Sequence, residues 1–147
     1  MKKIIISTLF SVVYVFWAAQ SESDIFGEWF NEEKDAVVTI YKDGNSISGK
    51  TTWLKEPLDS KGNAKLDLKN PDEKLRSRKR MGLKIMHSFK YNDQENIWED
   101  GRIYDPKKGK LYGGTATLVN ENELKLKGYI ISMPFLGRTA TWTRKTN

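Results

Sequence analysis

Cysteine is absent from the 147 residues, and His87 is the only histidine. Without cysteine the chain can form no disulfide framework, thiol nucleophile, haem-attachment motif or zinc ribbon. A single histidine excludes multi-histidine metal sites, and a histidine-based triad would have to use His87. The chain also lacks a phosphate-binding loop and a paired-carboxylate motif. We therefore predict no metal, no cofactor and no catalytic residues, and a small hydrolase is the least favoured interpretation.

The first 21 residues have the pattern of a secretory signal peptide. Lys2 and Lys3 precede an uncharged, mostly apolar run over residues 4–19, which is shorter than the roughly 20 residues that a membrane-spanning helix needs. Cleavage after Ser21 places small residues where a signal peptidase reads the chain, whereas cleavage after Ala19 would place Trp17 there. We expect residues 1–21 to be removed and residues 22–147 to form a single domain that is periplasmic or secreted.

The mature chain has little excess charge. It keeps 23 basic and 19 acidic residues, a net charge of +4. That excess is too small to argue for a nucleic-acid partner unless it is clustered. No other segment is long and apolar enough to span a membrane, so we expect no transmembrane segment after the signal peptide is removed.

Short strands separated by turn signals account for most of the mature chain. No stretch keeps a helical period over ten residues, and most links are three to six residues long. Short links imply antiparallel neighbours in a meander, and eight strands are the number that closes a small barrel. We therefore predict an all-β, antiparallel barrel of about eight strands, with a β-sandwich as the alternative. The predicted strands cover residues 26–30, 36–41, 46–54, 83–91, 97–104, 111–119, 124–131 and 137–144.

One connection is much longer than the others. Residues 55–80 are rich in Lys, Asp and Asn and contain Pro57 and Pro71. Loops of this length inside compact domains are usually functional or disordered. The loop is either a lid across one mouth of the barrel or a mobile excursion on its surface.

A pair of signals at the two ends of the chain favours barrel closure. Gly27 and Trp29 precede the first long strand, and Arg138 and Arg144 flank Trp142 in the last one. Closure brings the last strand beside the first, so an arginine there can stack on the Trp29 indole, a contact worth about 1 kcal/mol. We predict a structural role for these five residues.

The chain resembles lipocalins in this GxW motif with a late arginine, and more fully resembles a family of small secreted bacterial proteins of unknown function with a lipocalin-like barrel. The resemblance covers nearly all of the mature chain and implies a lipocalin-like barrel and export across the inner membrane. It implies no activity and no catalytic residues. Its motifs are Gly49-Lys50-x-x-Trp53-Leu54, Asn70-Pro71-Asp72, Gly101-Arg102-Ile103-Tyr104-Asp105-Pro106-x-x-Gly109 and Gly137-Arg138-x-x-x-Trp142-x-Arg144.

The Asp105-Pro106-x-x-Gly109 motif has the chemistry of a tight turn. Asp accepts backbone hydrogen bonds, Pro fixes φ, and Gly supplies a positive φ that returns the chain. The alternative role for Asp105 is that of a catalytic acid, although no sequence feature supplies its partner.

Aromatic and polar side chains on several strands are candidates for lining a cavity. By alternation His87 shares an apolar face with Ile85 and Phe89, where it is either a satisfied interior histidine or a polar contact to a ligand. Arg102 alternates with Asp100, which predicts either an internal ion pair or an anion site. The predicted lining residues are Trp53, His87, Phe89, Trp98, Arg102, Tyr104, Tyr112 and Tyr129.

A basic cluster follows the long loop. Its members are Lys74, Arg76, Arg78, Lys79, Arg80 and Lys84. It is either a solvated surface or a contact for anionic envelope lipid or glycan. The favoured function is binding or carriage of a small, largely hydrophobic or amphipathic ligand. The alternative is a filled barrel that acts as an envelope interaction protein through this cluster.

Overall fold

A computed structural model describes residues 19–146, so most of the predicted signal peptide, residues 1–18, lies outside the described residues. Eight strands follow a short 3₁₀ helix at Glu22–Ile25, and a second 3₁₀ turn, Glu73–Leu75, lies in the long loop. The strands are β1 (Gly27–Phe30), β2 (Ala36–Asp43), β3 (Ser46–Leu54), β4 (Lys84–Asn92), β5 (Ile97–Asp105), β6 (Lys110–Asn120), β7 (Glu123–Ile130) and β8 (Met133–Arg144).

The eight strands form one closed antiparallel barrel in sequence order. Each strand pairs with the next along the chain, and β8 returns to β1 through the pairs Trp29–Arg144 and Phe30–Thr143. Closure confirms the predicted meander barrel and excludes the β-sandwich. It also removes the free strand edges that an open sheet would expose.

One end of the barrel is filled by large side chains. Trp29, Phe89 and Trp98 are fully buried there. Gly101 makes room for the Phe89 ring, since a Cβ atom at this glycine would lie 2.4 Å from it. The 3₁₀ helix covers this closed end with the fully buried Ile25. This half of the barrel is therefore a solid core.

The chain that leads into the 3₁₀ helix also contacts the closed end. The Tyr91 hydroxyl donates to the carbonyl of Gln20 at 2.8 Å, and the Trp98 indole donates to the carbonyl of Glu22 at 3.2 Å. Ser21 and Asp24 cap the helix reciprocally. These hydrogen bonds satisfy polar groups where the segment packs on the barrel.

Arg144 is the arginine that stacks on Trp29. Its guanidinium lies 4.1 Å from the centroid of the indole ring, and it donates to the carbonyls of Phe26 and Asp24, each at 2.7 Å. Gly27 has a φ of 120°, and a Cβ atom there would approach Arg144 Nη1 to 3.0 Å. A small residue at position 27 therefore allows the close approach of the guanidinium.

Arg138 and Trp142 have different surroundings from Arg144. Arg138 forms an ion pair with Glu32 near the β1–β2 turn, at the other end of the barrel. Trp142 is buried on the inner face of β8. Of the two arginines considered for closure, only Arg144 contacts Trp29.

Two residues with positive φ shift the alternation of their strands. Ser88 in β4 and Asp100 in β5 both have a φ of 58°, and the β5–β6 register shifts between Trp98 and Gly101. A bulge of this kind adds a residue to one strand and reverses the facing of the residues beyond it. Side chains on the two sides of each bulge therefore do not follow a simple period of two.

Candidate functional site

The open end of the barrel holds a cavity of about 850 Å³. It lies opposite the filled end, between the β1–β2, β5–β6 and β7–β8 turns and the start of the long loop. Ligand pockets in proteins commonly have volumes of this order. The apolar part of its wall includes Ala36, Val38, Leu54, Ile85, Ile103, Leu126, Ala140 and Trp142.

Strand alternation explains the apolar wall on β7 and β8. Leu126 and Gly128 pair with residues of β8 across one face, while Lys125 and Lys127 lie exposed on the other. Inward residues of a small barrel alternate with outward ones in this way. A Cβ atom at Gly128 would make only ordinary van der Waals contacts, at 3.8 Å or more, and Gly128 borders the cavity, so a larger side chain at this position would project into the cavity.

Charged residues of both signs surround the mouth and largely pair with one another. Lys107 Nζ lies 2.6 Å from the Asp35 carboxylate, Arg138 pairs with Glu32, and Lys65 lies 3.2 Å from Glu56. Opposite charges close together at an entrance compensate one another at longer range. The mouth therefore presents polar groups without a strong field of one sign.

Asp35 shows the effect of these partners on ionisation. Burial alone would raise the pKa of its carboxyl group, but hydrogen bonds from Lys107 and Asn31 outweigh burial and hold the pKa below its usual value. The carboxylate is thus charged near neutral pH and keeps Lys107 at the mouth.

Arg80 borders the cavity and is held by backbone carbonyls rather than by a carboxylate. Its Nε donates to the Leu66 carbonyl at 3.1 Å and its Nη2 to the Pro106 carbonyl at 3.3 Å. It forms no ion pair with any residue between 19 and 146. A guanidinium has five N–H donors, so Arg80 is held in place while donors remain for a polar group at the cavity wall.

A buried polar network holds the long loop against β5. Asp67 is fully buried and accepts hydrogen bonds from the Tyr104 hydroxyl at 2.6 Å, Asn70 Nδ2 at 2.8 Å and Arg78 Nη2 at 3.0 Å. Burial, then the hydrogen bond to Asp67 and its charge, raises the pKa of Tyr104 to about 12. The Tyr104 hydroxyl therefore stays protonated near neutral pH and donates its hydrogen bond to Asp67.

The β5–β6 turn receives the same loop. The Asp105 carbonyl accepts from the Gly109 N–H at 2.7 Å, and its carboxylate accepts from the Lys107 N–H at 2.9 Å. Gly109 has a φ of 68°, and a Cβ atom there would lie 1.9 Å from the Lys69 carbonyl oxygen. Asp105 and Gly109 thus build a turn onto which the loop packs, with Pro106 accepting from Arg80.

The loop is consequently a fixed wall beside the mouth. Asn70 Oδ1 accepts from the Asp72 N–H at 2.9 Å, and Arg76 Nε donates to the Asn70 carbonyl at 2.8 Å. Leu66 bridges to Lys79 across the loop. Asn70 and Tyr104 both donate hydrogen bonds to Asp67, so the Asn70-Pro71-Asp72 motif and the Tyr104-Asp105-Pro106 motif belong to the same contact between the loop and β5.

Three of the eight predicted lining residues border the cavity. They are Tyr104, Tyr112 and Tyr129. Phe89 and Trp98 lie in the filled half instead. Trp53 does not border the cavity because a bulge between β2 and β3 places it beside Val37 and edge-on to Phe30, with ring centroids 6.0 Å apart and 41% of the residue exposed.

His87 and Arg102 lie outside the cavity as a cross-strand pair. Met86 and Phe89 are both buried in the core, since the positive φ of Ser88 lies between them, and His87 falls on the other face. Burial, together with the charges of Lys84 and Arg78, lowers the pKa of the His87 imidazole, although a backbone hydrogen bond at Lys84 and the charge of Asp43 oppose this.

The ion pair between Asp100 and Arg102, one of the two alternatives from the sequence, does not form. Asp100 lies 3.8 Å from Lys90, and Arg102 donates to the Gly101 carbonyl at 3.0 Å. The bulge at Asp100 separates the two residues, which simple alternation had placed on one face.

Most of the basic cluster has partners within the chain. Arg78 contacts the buried Asp67, Arg76 contacts Glu73, and Lys84 lies 2.7 Å from Asp43. Arg80 is held by two carbonyls. Lys74 and Lys79 are exposed and form no ion pair with residues in the described range 19–146. The six residues thus do not form one open cationic surface.

The aliphatic wall was not predicted from the sequence. Ile85, Ile103, Leu126 and Ala140 border the cavity, and each lies on a strand that the sequence did predict. Alternation in β7 and β8 could have identified Leu126 and Ala140. Nothing local distinguishes Ile103 beside an open space from a fully packed core residue.

Two further features concern the part of the chain that the structure covers. No helix within residues 19–146 is long and apolar enough to cross a membrane. No group of three or more His, Asp or Glu side chains among these residues is arranged to hold a metal ion.

Comparison with known proteins relates the barrel to one family and one fold. A family model described as "Uncharacterized protein conserved in bacteria (DUF2147)" matches residues 27–144. No curated protein matches the chain. A solved structure described as "Protein HP1028 from the human pathogen Helicobacter pylori belongs to the lipocalin family" is similar with a TM-score of 0.63 and 20% identity, over 76% of this chain and 73% of that one. This similarity shows a shared lipocalin-like fold.

Proposed function

Because this chain belongs to the DUF2147 family and forms a lipocalin-like barrel, we propose that it binds a small, largely hydrophobic ligand in the cavity at its open end. The observation that carries the proposal is the cavity itself, about 850 Å³ with an aliphatic and aromatic wall. A folded protein that keeps so much apolar wall unpacked loses dispersion contacts and burial there, and a ligand restores both.

The polar groups around the cavity indicate what else the ligand carries. The mouth charges compensate one another, so the bulk of the ligand is uncharged. Arg80 retains guanidinium donors at the wall while its position is held by two carbonyls. An amphipathic molecule with one acceptor group near Arg80 and its apolar part against Ile103 and Trp142 fits this arrangement.

Export is part of the same proposal. The pattern of residues 1–21 supports a signal peptide, with cleavage after Ser21 and a periplasmic or secreted mature chain. Native mass spectrometry of the protein recovered from its export pathway would reveal both the mature N-terminus and any small molecule that co-purifies.

The alternative of a filled barrel acting through its basic cluster receives less support. The open half contains a cavity, and Arg76, Arg78 and Lys84 have carboxylate partners in the chain. We also assign no catalytic role, because Asp105 is engaged in a turn and His87 lies outside the cavity.

A variant that fills the cavity tests the ligand site. Gly128→Leu projects a side chain into the unfilled space, whereas Thr139→Leu adds the same group on the outer face of β8. We expect Gly128→Leu to weaken binding of the apolar fluorophore phenylnaphthylamine by about tenfold or more, and Thr139→Leu to bind it as the wild type does. Fluorescence titration measures both, with circular dichroism to verify folding.

Equal fluorophore binding by wild type and a folded Gly128→Leu variant would overturn the cavity assignment. Ala140→Leu, on the neighbouring strand and also at the wall, provides a second filling variant if the first one unfolds.

A further inference from the structure

The β7–β8 hairpin ends in a protrusion next to the mouth. Ile130 pairs with Met133 and Tyr129 pairs with Gly137, so consecutive residues of β7 face residues of β8 that are four apart. Pro134, Phe135 and Leu136 are therefore extra residues that bulge out of the ladder. A bulge of this size bends the strand and displays its side chains.

The protrusion exposes large apolar side chains. Phe135 is 79% exposed, and the other apolar residues at the tip are exposed by 40% or more. We call these five residues the apolar tip: Ile130, Ile131, Met133, Phe135 and Leu136. Single exposed apolar residues are common, but a contiguous group rimmed by polar residues marks an interaction site.

The basic residues of the hairpin favour an anionic partner. The hairpin, residues 123–144, contains four basic residues and one acidic one, Glu123, which lies at the end of β7 away from the tip. Lys125 and Lys127 lie exposed on the outer face of β7 and pair with no acidic residue between 19 and 146. Lys127 is three residues from the tip, about 10 Å along the strand, which is close to the Debye length at physiological salt.

The apolar tip is also continuous with the cavity. Ile130 and Leu136 belong to the tip and border the cavity as well. Ile131, Met133 and Phe135 lie on the tip alone. The tip and the cavity wall therefore share one apolar surface along Ile130 and Leu136.

We propose that the apolar tip docks the open end of the barrel on the surface of a bilayer that contains anionic lipid. Phe135 and Ile131 enter the boundary between head groups and acyl chains, and Lys127 contacts the anionic head groups. Docking turns the mouth toward the membrane, which supplies or receives an apolar ligand. A second copy of the chain fits the tip less well, since a symmetric contact would bring the two basic hairpins together.

Vesicle flotation tests this docking. The mature protein is mixed with vesicles of phosphatidylcholine and phosphatidylglycerol, or of phosphatidylcholine alone. We expect binding to the anionic vesicles that weakens with salt, and a loss of about tenfold or more for the double variant Ile131→Ser, Phe135→Ser. The matched control is Val119→Ser, which removes an apolar residue 51% exposed near the closed end of the barrel.

A second variant tests the charge. Lys125→Glu combined with Lys127→Glu should reduce binding to anionic vesicles and leave any binding to neutral ones unchanged. The two lysines do not border the cavity, and neither do Ile131 and Phe135. Fluorophore binding in the absence of vesicles should therefore persist in both double variants. Vesicle binding and fluorophore binding are therefore tested independently, so one proposal can be overturned while the other stands.

Two results would overturn the proposal. The first is vesicle binding that is absent from the wild type or is reduced equally by the Val119 control. The second is a lipid-free dimer in sedimentation velocity that the tip variant converts to monomers, without vesicle binding, because the tip would then be a contact between copies of this chain.

Discussion

Ser88 and Asp100 decide which face of the wall their neighbours occupy. Each has a φ of 58°, and each interrupts a strand whose residues otherwise alternate. As a result Phe89 packs in the core while His87 pairs with Arg102 outside it. Because a polar residue within an alternating run has the same pattern as an outward-facing strand residue, these bulges are not visible in hydrophobic periodicity.

The lowered pKa of His87 makes stability depend on pH. The pKa of the imidazole is lower in the folded state than in the unfolded chain, where it is about 6.5. Between these two pKa values the unfolded chain binds more protons, so the free energy of unfolding falls as pH decreases from 7 towards 5. We expect His87→Gln to flatten this part of the pH profile, measured by urea unfolding at several pH values.

Carboxyl groups give a separate signal in the same experiment. Hydrogen bonds lower the pKa of Asp24 and Asp43. Their contribution to the free energy of unfolding is therefore present above the pKa of the unfolded chain and is lost only below about pH 5. That acid limb should persist in His87→Gln. An unchanged profile between pH 7 and pH 5 in this variant would show that the imidazole does not titrate differently in the two states.

The position of the long loop beside the mouth depends on the hydrogen bonds of one residue, Asp67. The buried Asp67 carboxylate accepts hydrogen bonds from the Tyr104 hydroxyl, Asn70 and Arg78. A fully satisfied buried carboxylate of this kind fixes a segment, whereas its removal leaves three donors unpaired. The loop is therefore a wall of the mouth as long as Asp67 is present.

Asp67→Ala should release the loop before it unfolds the barrel. We expect trypsin to cleave at the lysines and arginines of residues 55–80 about tenfold faster or more, because opening the loop costs less free energy without the network. Limited proteolysis followed by mass spectrometry locates the cuts.

Asp59→Ala is the matched control for Asp67→Ala. Asp59 accepts only local backbone N–H groups at the exposed end of the same loop. Cleavage that is equally fast in both variants, or equally slow, would show that the Asp67 network does not hold the loop.

The whole molecule combines a packed half with a hollow half. Phe89 fills the closed half, where Gly101 and Gly114 leave room for its ring. Ile103 borders the cavity in the open half. The large cavity thus lies at the open end, where the proposed ligand binds, while the packed closed end and the Trp29–Arg144 contact stabilise the barrel.

This division predicts unequal costs for core truncations. Phe89→Ala should lower the free energy of unfolding by about 3–5 kcal/mol, since it leaves a large hole in a filled core. Ile103→Ala should cost at most about 2 kcal/mol, because its side chain already faces unfilled space. Urea unfolding measures both. Similar losses at the two positions would contradict a hollow open half.

The barrel and its connectivity are predictable from the sequence alone. Alternating runs, short turns and the Gly27, Trp29 and Arg144 signals predict an eight-stranded closed meander, since these features depend on local backbone preferences and on the order of elements. The Asp105-Pro106-x-x-Gly109 turn follows from the conformational limits of its own residues.

The position of the cavity and the residues that border it depend on the tertiary fold and are not predictable from local sequence. Tyr104, Tyr112 and Tyr129 border it, whereas Trp53, Phe89 and Trp98 do not. The difference depends on bulges that reverse facing and on which end of the barrel a residue occupies. The unfilled volume at the open end is a property of all the side chains together, so no local pattern encodes it.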